Sequence, residues 1–360
     1  CRTSLCEVLI DSVYKGIYLL SEKIKRDSNR LDISKLTPMD TTGDPLTGGY
    51  ILQQNYWDAS NSFQSNYSPI DHPGFDVHFV YEYPNKDSIH PTQKTYIASF
   101  IDSLEDALYS TNFADTTNGY RRYLDTKSFV DYFIINELSR NNDGFKKSVF
   151  FNKDKHSKKK GKLKAGPVWD FDWAWKTLAT CSLFDQNDGS GWAHLINDCP
   201  TDNYSCGYYV RLLQDTTFNN QLRCTYEAYR TTILDTSYLF AFIDSVGNNV
   251  QRAQARHFQK WPLLGVSGPA PEVNAIATSY TAELDTLKNW IKIRLSWLDT
   301  HIPGNCIKIN TGIASHKTPE ILRCYPNPSA NVFHFEGILP LEKTNQMTIY
   351  DITNKMIDRF

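Results

Sequence analysis

The sequence predicts an α+β domain with a helical C-terminal half, followed by the beginning of a small β-sandwich module. Three observations carry that prediction. Strand-like alternation dominates before residue 84 and returns once in a central hairpin, helical periodicity dominates from Tyr208 to His301, and composition changes in kind after residue 322. Strands first and helices later do not suit a doubly wound parallel sheet, in which the two alternate. With 41% hydrophobic residues in 360, the chain can bury a sizeable core and still carry an appendage.

The elements follow in order. Cys6–Leu20 alternates and reads as a β-hairpin, with Gly16 at a position suited to positive φ. A charged exit follows, with Glu22, Lys23, Lys25 and Arg26. Gly48–Gln54 reads as a strand, Tyr56–Gly74 as a long polar loop, and Phe75–Tyr83 as a strand closed by Pro84. Thr92–Tyr109 has helical spacing through Ile97, Phe100, Ile101, Leu104 and Leu108. Asp125–Leu138 is a second helix with Phe129, Val130, Phe133, Ile134 and Leu138 on one face and Asp125 as its N-cap. Helical patterns continue at Tyr208–Asp215, Phe218–Thr232, Tyr238–Trp261 and Thr278–His301. Residues 304–322 read as a linker, and 323–360 as short strands with Pro and Asn turns.

Bulk properties exclude several classes. The net charge of −2 gives no footprint for nucleic acid, and no run approaches the ~18 apolar residues of a membrane helix. HExxH, GxSxG and Walker motifs do not occur. None of the eight cysteines forms a CxxC pair, so a thiolate zinc site is not expected; Cys199 and Cys206 flank a polar loop and could close a small disulfide in an oxidising compartment. The chain begins at Cys1 with no basic-then-apolar leader, and both ends read as truncated, so it is expected to be a fragment.

The informative stretch is 136–175, NELSRNNDGFKKSVFFNKDKHSKKKGKLKAGPVWDFDWAW. A helix ends in a polar turn carrying Asp143; a strand, a lysine-rich tip and a second strand lead to Asp170 and Asp172. Two acidic corners across a hairpin can hold a divalent metal and a phosphoryl donor. Residues two apart on a strand point to the same side, so Asp170 and Asp172 are expected to face one ion together. The run Lys153–Lys164 carries seven lysines and one histidine; it is either a solvated hairpin tip or a docking patch for an acidic protein or polysaccharide. A glycosidase would also need two carboxylates across a sugar, and Asp143 with Asp170 could be drawn that way.

Several segments, YKGIYLLSEKIKRDSNRLDI, EYPNKDSI, NELSRNNDGFKKSVFF, GPVWDFDWAW and LKNWIKIRLSWLD, resemble in order and spacing those of the CotH (spore coat protein H) family. The resemblance covers nearly all of residues 6–303 and implies an atypical protein-kinase-like domain over 1–303 that uses ATP with magnesium or manganese. It implies a base-like role for Asp143, metal ligation by Asp170 and Asp172, and a nucleotide-pocket edge at Glu22 and Lys23. At the place of a second metal-holding Asn stands Ser148, with Asn141 and Asn142 as substitutes beside Asp143. The phosphate-contacting lysine is expected upstream of Cys1. Thr225 stands where relatives carry Arg, among Arg211, Arg230, Arg256 and Trp261 of the distal half.

CYPNPSANVFHFEG followed by MTIYDITNKMI is similar to the start of a type IX secretion C-terminal sorting domain. That implies export to the cell surface, with the type IX machinery and a surface or exported protein substrate as partners. The expectation is a secreted kinase acting on Ser/Thr, against a non-catalytic surface scaffold of the same fold.

Overall fold

The central strands are buried on both faces, which explains their near-continuous hydrophobicity. The structure is a computed structural model that describes residues 2–175, 181–267 and 276–306, together with four short strands further on. It divides into two compact units, Cys1–Ile307 and Lys308–Phe360.

In the first unit a hairpin of β1 (Thr3–Ile10) and β2 (Val13–Ser21) precedes a five-stranded antiparallel sheet. A single-turn helix α1 (Gly43–Leu46) leads into β3 (Tyr50–Gln54); β4 (Ser62–Gln64), β5 (His78–Tyr83), β6 (Val149–Lys153) and β7 (Leu163–Ala165) complete the sheet in the order β4-β5-β3-β6-β7. Two long helices, α2 (Pro91–Tyr109) and α3 (Thr126–Leu138), lie between β5 and β6. A helical turn α4 (His156–Lys159) occupies the β6–β7 tip. The C-terminal half is α5 (Tyr208–Leu212), α6 (Thr216–Arg230), α7 (Thr236–Asn249), α8 (Gln251–Lys260) and α9 (Tyr280–His301). The α+β class and the late helical half are as expected.

Strand alternation sorts the core into two layers. Tyr50 and Leu52, with Phe79, Tyr81, Val149 and Phe151, join Ile97, Ile101 and Leu104 of α2 and Phe129, Val130 and Phe133 of α3 in the main core. On the other face Ile51 and Phe150 meet Ile24 and Ile33, with Leu31 and Trp169 against them. Each such side chain contributes ~1.5–3 kcal/mol on full burial. The second cluster matters for function, because it docks the exit of the β1–β2 hairpin against the residue preceding Asp170.

Several expectations change. Gly16 has the expected positive φ (116°) but sits within β2 at a register shift, and the hairpin turns at Asp11 and Ser12, both also with positive φ. The loop after β3 contains β4, paired with β5. The helix read as Tyr238–Trp261 is broken at Val250 into α7 and α8. The helix α3 is capped by Asp125, which accepts from Ser128 N, but it is buried nearly all round, Asn136 and Glu137 included, rather than on one face. Cys199 pairs with Cys181, and Cys224 with Cys306; Cys206 is a free, buried thiol. The lysine-rich run is not uniformly solvated: Lys153 is fully buried.

In the second unit β8 (Arg323–Tyr325) pairs with β9 (His334–Glu336), and β10 (Thr348–Tyr350) with β11 (Met356–Arg359), both antiparallel. The linker at 304–322 and most of the module read at 323–360 lie outside the described residues.

Candidate active site

Asp143 stands on the turn between α3 and β6, and a buried polar scaffold fixes that turn. Asn141 Oδ1 accepts from Asp143 N (3.3 Å), and Asn141 Nδ2 donates to Asn136 Oδ1 (3.2 Å). The Tyr132 hydroxyl donates to Gly144 O (2.7 Å). A Cβ at Gly144 would stand 2.1 Å from Asn136 Oδ1, so no other residue fits there without moving the turn. Asn141 therefore shapes the turn. Asn142 is also buried, and its Nδ2 has no hydrogen-bond partner among the described residues.

The second acidic corner is not the end of a strand. β7 stops at Ala165, a cis Gly166–Pro167 bond turns the chain, and Asp170 adopts φ 61°, in the left-handed region that β-carbon-bearing residues rarely enter. The expected same-side geometry of two strand residues does not apply, yet Asp170 and Asp172 still meet: Asp170 carries a hydrogen-bond contact with Asp172. Ser148, itself at φ 52°, donates from Oγ to Asp170 Oδ2 (3.1 Å). Trp175 N donates to Ser139 O (2.8 Å), tying this segment back to the end of α3. The two corners are thus joined by contacts at both their ends.

Electrostatics separate the carboxylates. Burial, and then the negative charges of Asp172 and Asp143, raise the Asp170 carboxyl above its ordinary range, against the lowering effect of the Ser148 hydroxyl. Asp143 has cationic neighbours: Lys146 Nζ at 3.3 Å and Lys147 Nζ at 3.9 Å. Both lysines also reach Asp202, at 3.0 and 2.9 Å, and the Tyr56 hydroxyl donates to Asp202 Oδ2 (2.7 Å). Burial alone would raise Asp202, but bonds from Lys147, Tyr56 and Lys146 hold it well below the usual carboxylate range. Burial likewise works against the Lys147 charge, and Asp202 and Tyr56 more than reverse it. Reading the sequence missed Asp202 and Tyr56, which lie on irregular loops 56 and 91 residues from their lysines. The one local signal was the spacing of Lys146 and Lys147, three and four residues after Asp143.

Glu22 and Lys23 line a cavity of about 330 Å³ with Ile24, Lys25, Arg30 and Pro167. Pro167 precedes Asp170 by three residues in the chain; Asp143, Asp170 and Asp172 do not themselves line this cavity. Glu22 is bonded to Arg2 (2.7 Å), with Arg30 at 3.7 Å, and these hold it below its ordinary range, Arg2 foremost. Arg2, Lys23, Lys25 and Arg30 are the cations of the cavity's lining, and Arg2 and Arg30 are paired with Glu22.

The carboxylate set fits a divalent cation in its chemistry. Asp170 and Asp172 are mutually repelling oxygen donors, with Ser148 and Asn142 as neutral donors nearby. As placed, their oxygens together with Asp143 do not close into one tight group. Among the described residues the group that does, with ligand atoms within 4.8 Å of one another, is Asp71, His72 and Asp198, away from this turn. There both imidazole nitrogens lie 3.1 Å from carboxylate oxygens.

Behind the turn lies a dry clamp. Glu137 accepts from Ala193 N, His194 N and Arg294 Nη2 (2.9, 2.9 and 3.0 Å) and contacts His194 Nδ1 at 2.7 Å. Arg294 Nε donates to Glu137 O, and its Nη1 to the carbonyls of Gly189 and Gly191. Arg140 donates to the carbonyls of Phe184, Gln186 and Ser190. Burial pulls each guanidinium down to about 10. The distal arginines considered for substrate contact are also engaged internally. Arg211 bonds Leu108 O and Ser110 O, Arg230 bonds Asp299, and Arg256 bonds Glu7, while Trp261 donates to Lys15 O.

Residues 1–298 match the family model described as CotH kinase protein. No curated protein matches the chain.

Proposed function

The chain belongs to the CotH kinase protein family, and from that premise we propose that it is a secreted or cell-surface, metal-dependent protein kinase that moves the ATP γ-phosphate to Ser/Thr hydroxyls of a surface protein. The family gives the coarser statement, a protein-kinase-like function. The observation that supports the finer one is that Asp170, bonded to Ser148, lies within the electrostatic reach of both Asp172 and Asp143.

In this reading Asp170 and Asp172 hold magnesium or manganese, which when bound supplies positive charge to the nucleotide phosphates. Asp143 orients the attacking hydroxyl and accepts its proton. Lys146 and Lys147 face the charge that builds on the transferring group, and Asp202 holds both in place. The Asn142 Nδ2 group, buried and unpartnered among the described residues, is a donor for an anionic oxygen. Two disulfides support an oxidising compartment. Among the described residues no helix is long and apolar enough to cross a membrane. The CYPNP segment supports type IX export.

A second reading has a specific observation in its favour. Asp143 is engaged by two lysines, which occupy its carboxylate, and Ser148 replaces an amide. This reading makes the protein a scaffold of the same fold. The experiment is Mg-ATP binding and autophosphorylation, comparing the chain with Asp143→Ala and Asp170→Ala. A kinase should lose ~10²–10⁴-fold in rate with Asp143→Ala and lose metal-dependent nucleotide binding with Asp170→Ala. Absence of nucleotide binding by the unaltered protein would leave the scaffold.

A further inference from the structure

The β6–β7 tip carries the lysine-rich run, and three of its seven lysines face carboxylates. Lys158 and Lys159 face Asp32 and Asp154, Lys164 faces Asp125 (3.7 Å), and Lys162 donates to Arg121 O (2.6 Å). Lys160 and Arg122 have no acid partner among the described residues. Both are exposed, and with His156 they rim a cavity of about 490 Å³ whose walls are Tyr96, Phe100 and Tyr123. No carboxylate lines it, while Ser99 and Ser103 do. Asp44, whose charge acts on His156, is committed to the amide and hydroxyl of Ser157.

The rim is built rather than loose. Lys160 is held at φ 58°, a conformation that costs a non-glycine residue free energy. Gly161 follows at φ 61°, and the His156 ring lies so close over it that a Cβ there would stand 1.8 Å from the imidazole. Arg122 lies over the Tyr123 ring, 5.8 Å from its centre. Beneath the wall, Lys153 Nζ donates to the Tyr96 hydroxyl (3.1 Å) and sits 4.6 Å from the centre of Phe100. A fork-shaped guanidinium, an ammonium and an imidazole around an acid-free cavity match a phosphate dianion better than a single carboxylate. The aromatic walls and a volume well beyond that of one phosphate suit an anion carried on a stem.

We propose that this cavity binds a phosphoserine or phosphothreonine side chain of a phosphorylated protein segment. The strand β6, five residues at about 3.3 Å each, places it roughly 16 Å from Ser148. It is therefore a docking site for material already phosphorylated, and not the phosphotransfer centre. The proposal rests on the kinase reading for the source of such segments; the binding itself does not require it.

The test is a fluorescence-anisotropy titration of the whole chain with a labelled phosphoserine peptide, its unphosphorylated twin, and inorganic phosphate as competitor. The phosphopeptide should bind at least 10-fold tighter than its twin and weaken with salt. Arg122→Ala with Lys160→Ala, both at exposed positions, should lower its affinity at least 10-fold at unchanged Tm. Asp143→Ala should leave binding intact. Equal binding of the two peptides, or no effect of the double variant, would overturn the proposal. Inorganic phosphate binding as tightly as the phosphopeptide would show a free-anion site and overturn the peptide assignment. Selective peptide binding without any phosphotransfer would sink the kinase reading and leave this site standing.

Discussion

The two ends of one short segment treat charge in opposite ways. At Glu137, a fully buried carboxylate meets Arg294, His194 and two backbone amides, and its charge is satisfied by protein alone. Six residues later, Asp143 faces a turn where Asp170 and Asp172 repel one another and a buried amide, Asn142 Nδ2, has no partner. The first arrangement stabilises one conformation. The second keeps unmatched charge that an external cation and anion can complete. Buried charge is tolerated where it is paired, so the unpaired site is where function is to be sought.

The comparison breaks most visibly at the clamp. Glu137→Ala leaves Arg294 buried without its acid and strands the amides of Ala193 and His194. The expected loss is ~3–5 kcal/mol of stability, measured by chemical denaturation. A loss below 1 kcal/mol would mean that water or a shifted loop replaces the carboxylate, and that the clamp is not what holds the turn.

Glu105 is the intermediate case, buried like Glu137 but with no cation beside it among the described residues, where only the hydroxyls of Ser65 and Tyr208 reach it, each at 2.7 Å. Burial pushes its carboxyl up to about 7. Below about pH 4.5 the proton is bound in both folded and unfolded chains, and stability is complete. As pH rises through 7 the unfolded chain has released its proton while the folded chain resists, so stability falls. At ~1.4 kcal/mol per pH unit the loss is on the order of 3 kcal/mol. Glu105→Gln should flatten Tm across this window; an unchanged pH slope would show that Glu105 is ionised and paired after all.

The smallest expected effect lies at the acidic corner itself. Asp170→Asn removes one of two repelling charges, so Tm should stay level or rise slightly while metal-dependent nucleotide binding disappears. A marked fall in Tm would place Asp170 with Glu137 among the structural carboxylates and erase the contrast.

Much of this was legible early, for a physical reason. Helix periodicity, the Asp125 cap and the β1–β2 hairpin depend on residues within one or two turns of each other, and the sequence displays those neighbours directly. The positive φ at Gly16 was legible from its residue type, whereas the positive φ of Asp11 and Ser12, where the hairpin turns, was not. The breadth of α3 burial was hidden for a similar reason: Asn136 and Glu137 look solvated until their distant partners are known.

The sequence by itself determined the α+β order, the two acidic corners and the tie between their chemistry and a family. Only the tertiary structure decided which charges are matched. Glu137 finds Arg294 across 157 residues, and Lys146 finds Asp202 across 56. Asp170 reaches Asp172 through a left-handed backbone rather than a strand, and Cys199 pairs with Cys181 rather than Cys206. Local backbone preference acts over a few residues, but Coulomb and hydrogen-bond pairing acts through space. What a charge does is fixed by whatever the fold brings within a few ångströms of it.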